Sequence, residues 1–232
     1  MIPISDDNPA QRPAFVTWTL IAISVVAYLW ELSLGGDMNA ALYALGFMPA
    51  KFFAEPGAEI AISPVLTIFT SMFLHGGFLH LAGNMLYLWI FGNNVEDALG
   101  HTRYLFFYLA CGAAAALTMA YLDRAAQVPM VGASGAISGV LAAYVLLYPR
   151  ARVTVIVPLG ILLYPFAIAA GWVIGFWFLL QLVSAALADP GQPGTAWWAH
   201  VGGFAAGLFL TPILKRPSIP VLGQPRRGPW NP

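Results

Sequence analysis

Four polar side chains fall inside otherwise apolar stretches of this 232-residue chain. His80 and Asn84 lie in "HLAGNMLYL", four residues apart and so on one helical face. Ser134 opens the core of "VGASGAISG" at 131–139, and His200 lies in "AHVGGFAAG". A serine hydroxyl is a weak nucleophile until a base removes its proton, and histidine is the side chain best matched to that task near neutral pH. Acyl transfer then leaves negative charge on the former carbonyl oxygen, which preorganised donors must meet; asparagine, histidine and backbone N–H groups serve. Ser134 as nucleophile, His200 as base, and His80 with Asn84 as oxyanion donors form a complete set. An orienting carboxylate is missing. Glu96 and Asp97 lie at the far end of the His80 segment, while Asp123 and Asp189 fall between apolar runs. We therefore expect a Ser–His dyad, its imidazole held by packing, with Asp189 the acid near enough along the chain to fold back.

Other chemistries fit less well. The chain has no H-E-x-x-H zinc signature and no acid pair of the intramembrane aspartyl type. "GASGA" is not the G-x-S-x-G elbow of soluble hydrolases. A transporter or channel is the rival reading, since broken helices and midplane polar groups mark that class, and a non-proteolytic membrane binding protein of the same architecture is the other alternative. The polar cluster here is shallow rather than central, and no inverted repeat is visible.

Apolar residues make up 59% of the chain and charged residues 9%, against about one-quarter charged in soluble domains, so the elements positioning these side chains are membrane helices. Zero net charge and the absence of a basic block leave no case for nucleic acid. Cys111, alone and in an apolar run, is read as packing. A span needs about 20 apolar residues, and the candidates are 14–34, 79–96, 103–122, 132–149, 167–188 and 197–214. Pro158, Gly160 and Pro165 make 153–166 an expected interfacial or re-entrant connection. Residues 1–13 and the Pro-rich basic 215–232 are read as cytoplasmic tails outside the fold, flanking a 14–214 membrane unit. With six spans the inner segments hold Arg12, Arg103, Arg150, Arg152, Lys215, Arg216, Arg226 and Arg227, and the outer ones only Lys51 and Arg124. In that topology spans 2, 4 and 6 all start on the outer side, which brings His80, Asn84, Ser134 and His200 to one depth. The apolar outer loop at 35–78 is expected to lie in the interface or dip into protein.

The ordered set "HGGFLHLAGNMLYLWIFG" (75–92), "VEDALG" (95–100), "GASGAISG" (132–139) and "AHVGGFAAG" (199–207) resembles the rhomboid intramembrane serine proteases, in their six-helix bacterial form, over residues 14–214. The resemblance implies an all-α six-helix bundle in the cell inner membrane and a serine endopeptidase that cuts transmembrane segments of other proteins near their outer ends. It further implies substrates arriving sideways from lipid, and neither metal nor cofactor. It puts the nucleophile on Ser134, the base on His200 and the oxyanion donors on His80 and Asn84. Two departures stand out. The first outer loop reads "SPVLTIFTSMF" where many relatives carry a Trp-Arg pair, and Ser138 stands where many place an aromatic stacked on the histidine.

Supporting roles follow for the small residues. Gly132 is expected to leave backbone room at the substrate, and Gly135 and Gly139 to admit a neighbouring helix. Gly203 and Gly207, in G-x-x-x-G spacing, should press the last span onto the Ser134 helix. Ser138, one turn below Ser134, is read as packing, and His75 as structural. The sequence does not place the substrate gate; the lateral entry that the resemblance implies would put it on the fifth span, with Trp172, Phe176 and Trp177.

Overall fold

The computed structural model describes residues 2–55, 60–159, 162–188 and 196–223, and only the backbone of Pro158, Leu159 and Leu162. In chain order the elements are β1 (Ile2–Asp6), α1 (Phe15–Ser33), α2 (Met38–Leu45), α3 (Pro49–Phe52), α4 (Pro64–Thr70), α5 (Phe78–Leu99), α6 (His101–Leu122), α7 (Ser134–Leu147), β2 (Arg152–Leu159), β3 (Leu162–Ala169), α8 (Ala170–Leu187) and α9 (Trp197–Leu214). Each expected span contains one long helix, and the whole is a helical membrane bundle. By length and composition α1, α6, α8 and α9 can each cross a membrane.

The central helix is the exception. α7 has 14 residues where the sequence suggested 132–149, which is about 21 Å of helix against roughly 30 Å of hydrocarbon. It need not reach either surface because protein surrounds it: 11 of its residues are buried. Its last carbonyls, on Leu146 and Leu147, accept the N–H groups of Leu222 and Gly223. The start of the expected C-terminal tail is therefore docked as a cap on α7, because those orphan carbonyls have no water to meet.

The helix ends near Gly100 are tied by buried acids. Glu96 accepts the Val16 N–H (2.9 Å), the Thr17 N–H (2.7 Å) and the Thr17 hydroxyl (2.7 Å), and so caps the N-terminus of α1 with a carboxylate. His101 Nδ1 lies 2.6 Å from the same group. Asp97 accepts the Gln11 N–H and faces Arg216 at 3.8 Å and Arg12 at 4.0 Å. "VEDALG" thus latches three helices at the end where the cations gather.

Two sequence expectations are corrected here. The segment expected as an interfacial or re-entrant connection contains two paired strands: β2 pairs antiparallel with β3 from Arg152↔Ala169 to Leu159↔Leu162. The first residues are not a free tail either, since β1 pairs with β2 through Ile2↔Ile156 and Asp6↔Val153. The cause is the β-branched run "VTVIV", whose Val153 and Val155 turn inward and are fully buried. Its backbone groups need partners beside an apolar bundle, and the N-terminal strand supplies them.

The outer loop is built into the protein, as its apolar composition suggested. Phe47, Ile68, Met72, Leu74 and His75 are buried, and Phe47 pairs through its backbone with Met130 in the loop before α7. The loop is anchored differently from a Trp-Arg pair. The Met72 side chain lies against Gly112 of α6, and the Ser71 carbonyl accepts the Gly132 N–H at 2.8 Å.

Candidate active site

Ser134 is the first residue of α7, and His200 the fourth of α9. The two helices meet along a seam of glycines. A Cβ built on Gly203 would lie 2.0 Å from the Gly135 carbonyl oxygen, and one on Gly207 2.4 Å from that of Gly139. The missing Cβ atoms of Gly135 and Gly139 face Ala115 and Cys111 of α6 instead. Close backbone approach of this kind is how small residues hold helices together in lipid. It brings His200 Nε2 to 2.8 Å from Ser134 Oγ.

His80 and Asn84, on one face of α5, line the opposite wall of the same cavity, whose volume is about 660 Å³. Asn84 Nδ2 is buried and has no hydrogen-bond partner among the described residues. An orphaned donor costs about 1–3 kcal/mol, and here it faces a cavity that also holds the serine and the histidine. Helix geometry leaves the first N–H groups of α7 without intrahelical acceptors as well. The four residues picked from the sequence therefore converge on one cavity, whose walls also include Tyr87, Met130 and Trp177.

Gly132 lies against His80. Its φ is +119°, which glycine tolerates best, and a Cβ there would stand 2.6 Å from His80 Cε1. The room it leaves is filled by the His80 imidazole. Ser138 donates its hydroxyl to the Ser134 carbonyl at 2.7 Å, one turn back, and is fully buried. His75, also buried, donates its backbone N–H to Glu31 and sets its ring edge-on to His80, with centroids 5.3 Å apart.

The support of His200 is where sequence reasoning fell short. Packing does contribute: Trp177 and Trp197 flank the imidazole, each with its ring centroid 6.1 Å away. They take the place of the aromatic absent at position 138. Trp177 thus faces the cavity, whereas Trp172 and Phe176 are exposed. But the imidazole also has a polar partner, because His200 Nδ1 lies 2.7 Å from Gln181 Oε1 on α8. Asp189 lies outside the described residues. Gln181 could have been suspected as the one strongly polar side chain in "AGWVIGFWFLLQLVSAAL", since polar groups in membrane helices rarely lack a partner.

Comparison with known proteins agrees with this architecture. Over 214 residues the chain is 28% identical to Rhomboid protease GluP of Bacillus subtilis, covering 92% of this chain and 37% of that protein. It is 31% identical over 154 residues to Rhomboid protein 1, mitochondrial, of Saccharomyces cerevisiae, covering 64% of this chain and 41% of that one. Over 108 residues it is 33% identical to the human Presenilin-associated rhomboid-like protein, mitochondrial, covering 45% and 27% respectively. The chain spans well under half the length of these relatives. Residues 63–217 match the Rhomboid domain, a stretch that contains the glycine seam and all four polar residues of the cavity, and the chain accordingly belongs to the rhomboid family.

Proposed function

We propose that the protein is an intramembrane serine endopeptidase in which Ser134 and His200 form the catalytic dyad. The observation that carries this reading is the 2.8 Å approach of His200 Nε2 to Ser134 Oγ, inside a cavity also lined by Asn84, whose Nδ2 has no partner among the described residues. In the first half-reaction Ser134 Oγ attacks the substrate carbonyl carbon while its proton passes to His200 Nε2. The developing oxyanion accepts hydrogen bonds from Asn84, His80 and the N-terminal N–H groups of α7. The intermediate collapses to an acyl-serine as His200 returns the proton to the leaving amine. Water, deprotonated by His200, then releases the acyl group and restores the serine.

Transmembrane segments of other proteins are the substrates, reaching the site from lipid. A helix must unwind before its carbonyls are exposed, so substrates with small or helix-breaking residues near the cut should be preferred over uniformly Leu-rich ones. The cations at the Glu96–Asp97 end support an inside orientation for that end, and hence a cavity opening toward the outer leaflet of the inner membrane, with residues 14–214 as the protease unit. The test is cleavage of a single-span reporter protein by purified enzyme in liposomes. Wild type should cut it, and Ser134→Ala and His200→Ala should not. Equal cleavage by Ser134→Ala, or solute flux without proteolysis, would refute the reading.

A further inference from the structure

We propose that Gln181 is the third, neutral member of the catalytic arrangement: a positioning residue that fixes the tautomer and orientation of His200. This rests on the endopeptidase reading above. Gln181 sits in the middle of α8, nearly fully buried at 6% exposure, with Oε1 2.7 Å from His200 Nδ1. A carbonyl oxygen can only accept, so the proton of the neutral imidazole must be on Nδ1. That leaves a lone pair on Nε2, the nitrogen 2.8 Å from Ser134 Oγ, which is what a base toward that hydroxyl requires. The opposite tautomer would set the Nδ1 lone pair against the amide oxygen and a proton against the serine.

An amide can fulfil this role only if it does not flip, since its NH₂ end would select the wrong tautomer. Gln181 Nε2 faces the Trp177 carbonyl one turn earlier on α8, at 3.4 Å, which gives the NH₂ group an acceptor in the orientation that turns Oε1 to His200. Trp177 also flanks the imidazole, so one turn of α8 provides both the ring contact and the polar anchor.

The electrostatics of the site explain why an amide suits it. Among the described residues lining the cavity no carboxylate is present, and His80 and Tyr87 are its titratable groups besides His200. Burying a carboxylate there would carry an effective penalty of several kcal/mol, whereas an amide with both ends engaged avoids it. The consequence is weaker support of the imidazolium than a carboxylate would give. Loss of Gln181 should therefore cost less than the roughly 10⁴-fold that follows a wrong tautomer in the soluble triad.

The test compares wild type, Gln181→Met and Gln181→Leu, purified in detergent, by two independent measurements. The first is ¹⁵N NMR of histidine-labelled protein, with the His200 signals assigned by their loss in His200→Ala. Wild type should hold His200 as the Nδ1–H tautomer, and both variants should show a mixture. The second is cleavage of the single-span reporter, where kcat should fall about 10–100-fold with KM within about twofold. Thermal midpoints and the remaining histidine signals report whether each variant keeps its fold. An unchanged His200 tautomer in both folded variants would overturn the proposal, as would an unchanged kcat. The two readings fail separately: a wild type that never cleaves, yet shows the Gln181-dependent tautomer, would overturn the protease assignment and leave the hydrogen-bond assignment standing.

Discussion

The glycine seam makes a sharp prediction for Gly203→Ala. The change adds one methyl group, yet its position is fixed by the backbone, 2.0 Å from the Gly135 carbonyl oxygen and 2.9 Å from the carbonyl carbon. Side-chain β-carbons do not come within 3.0 Å of such atoms, so the helices must separate by at least about 1 Å, and neither partner is a flexible side chain that could yield. Ser134 lies next to Gly135, and His200 lies three residues before Gly203 on the same face of α9. A shift of that size acts almost directly on the Ser–His distance, taking it from 2.8 Å to beyond hydrogen-bond reach. Misplacement of about 1 Å costs about 100-fold in rate, and overpacking of this kind about 1–3 kcal/mol in stability. The assay is kcat for reporter cleavage in liposomes, paired with the thermal midpoint in detergent. Gly203→Ala should lose about 100-fold in kcat while remaining folded, and Gly207→Ala, whose built Cβ falls 2.4 Å from the Gly139 oxygen and one turn farther from the dyad, should lose less. A Gly203→Ala enzyme within threefold of wild type would refute the claim that backbone contact sets the dyad distance.

Other changes separate catalysis from folding. Asn84→Ala should lower kcat about 10²–10³-fold, as loss of an oxyanion donor does, with little change in the thermal midpoint, because the Nδ2 it removes has no partner among the described residues. Gly132→Ala combines a positive φ with collision into His80 and should lower both activity and stability; heating scans and reporter cleavage check the two together. Two groups outside the spans give pH dependences of opposite sign. Burial first, then the neighbouring His80, hold the His75 imidazole down at about 4. The unfolded chain takes up that proton first, so stability present above about pH 6.5 is lost as pH falls toward 4, and His75→Gln should flatten that loss in thermal scans. Burial pushes the Asp6 carboxyl up to about 6, a shift that its hydrogen bond from Tyr144 only partly opposes. Here the folded state holds the proton more tightly, so pairing of β1 strengthens as pH falls through 6 toward 4. Hydrogen exchange at residues 2–6 should slow over that range, and Asp6→Asn should remove the dependence.

The legible parts of this molecule were those governed by local pattern. Apolar runs of span length located the six long helices to within a few residues, and cation placement identified the end that Glu96 and Asp97 latch. Ser134, His80, Asn84 and His200 were readable because each is a polar residue at the start of an apolar run, at a depth the topology makes equal. The glycines were readable by spacing alone. What escaped depends on contacts between distant segments. After its first residue "RVTVIVPL" is apolar except for Thr154, too little alternation to reveal the inward turn of Val153 and Val155, and its partner strand lies some 150 residues earlier. The length of α7 was overestimated because apolarity measures burial, and protein buries a helix as well as lipid does. Gln181 has no meaning in the sequence until α8 is packed against α9.

That packing gives His200 two unlike supports. On one side α9 is set against α7 through backbone, at Gly203 and Gly207, where nothing can adjust without the helices parting. On the other side it meets α8 through side chains: Phe178 stacks on Phe204 with centroids 4.0 Å apart, and Trp177 and Gln181 reach the imidazole. Side-chain contacts can be lost and remade by rotation of a ring or an amide, whereas the glycine seam cannot. The distance between Ser134 and His200 is therefore a property of the rigid seam, while the polar partner of the imidazole lies on α8 and its flanking rings on α8 and α9. α8 is also the helix that presents Trp172, Phe176 and Leu187 outward. Any displacement of α8 would thus leave Ser134 and His200 adjacent but release the imidazole from Gln181, so the dyad would keep its spacing and lose its poise until α8 returned.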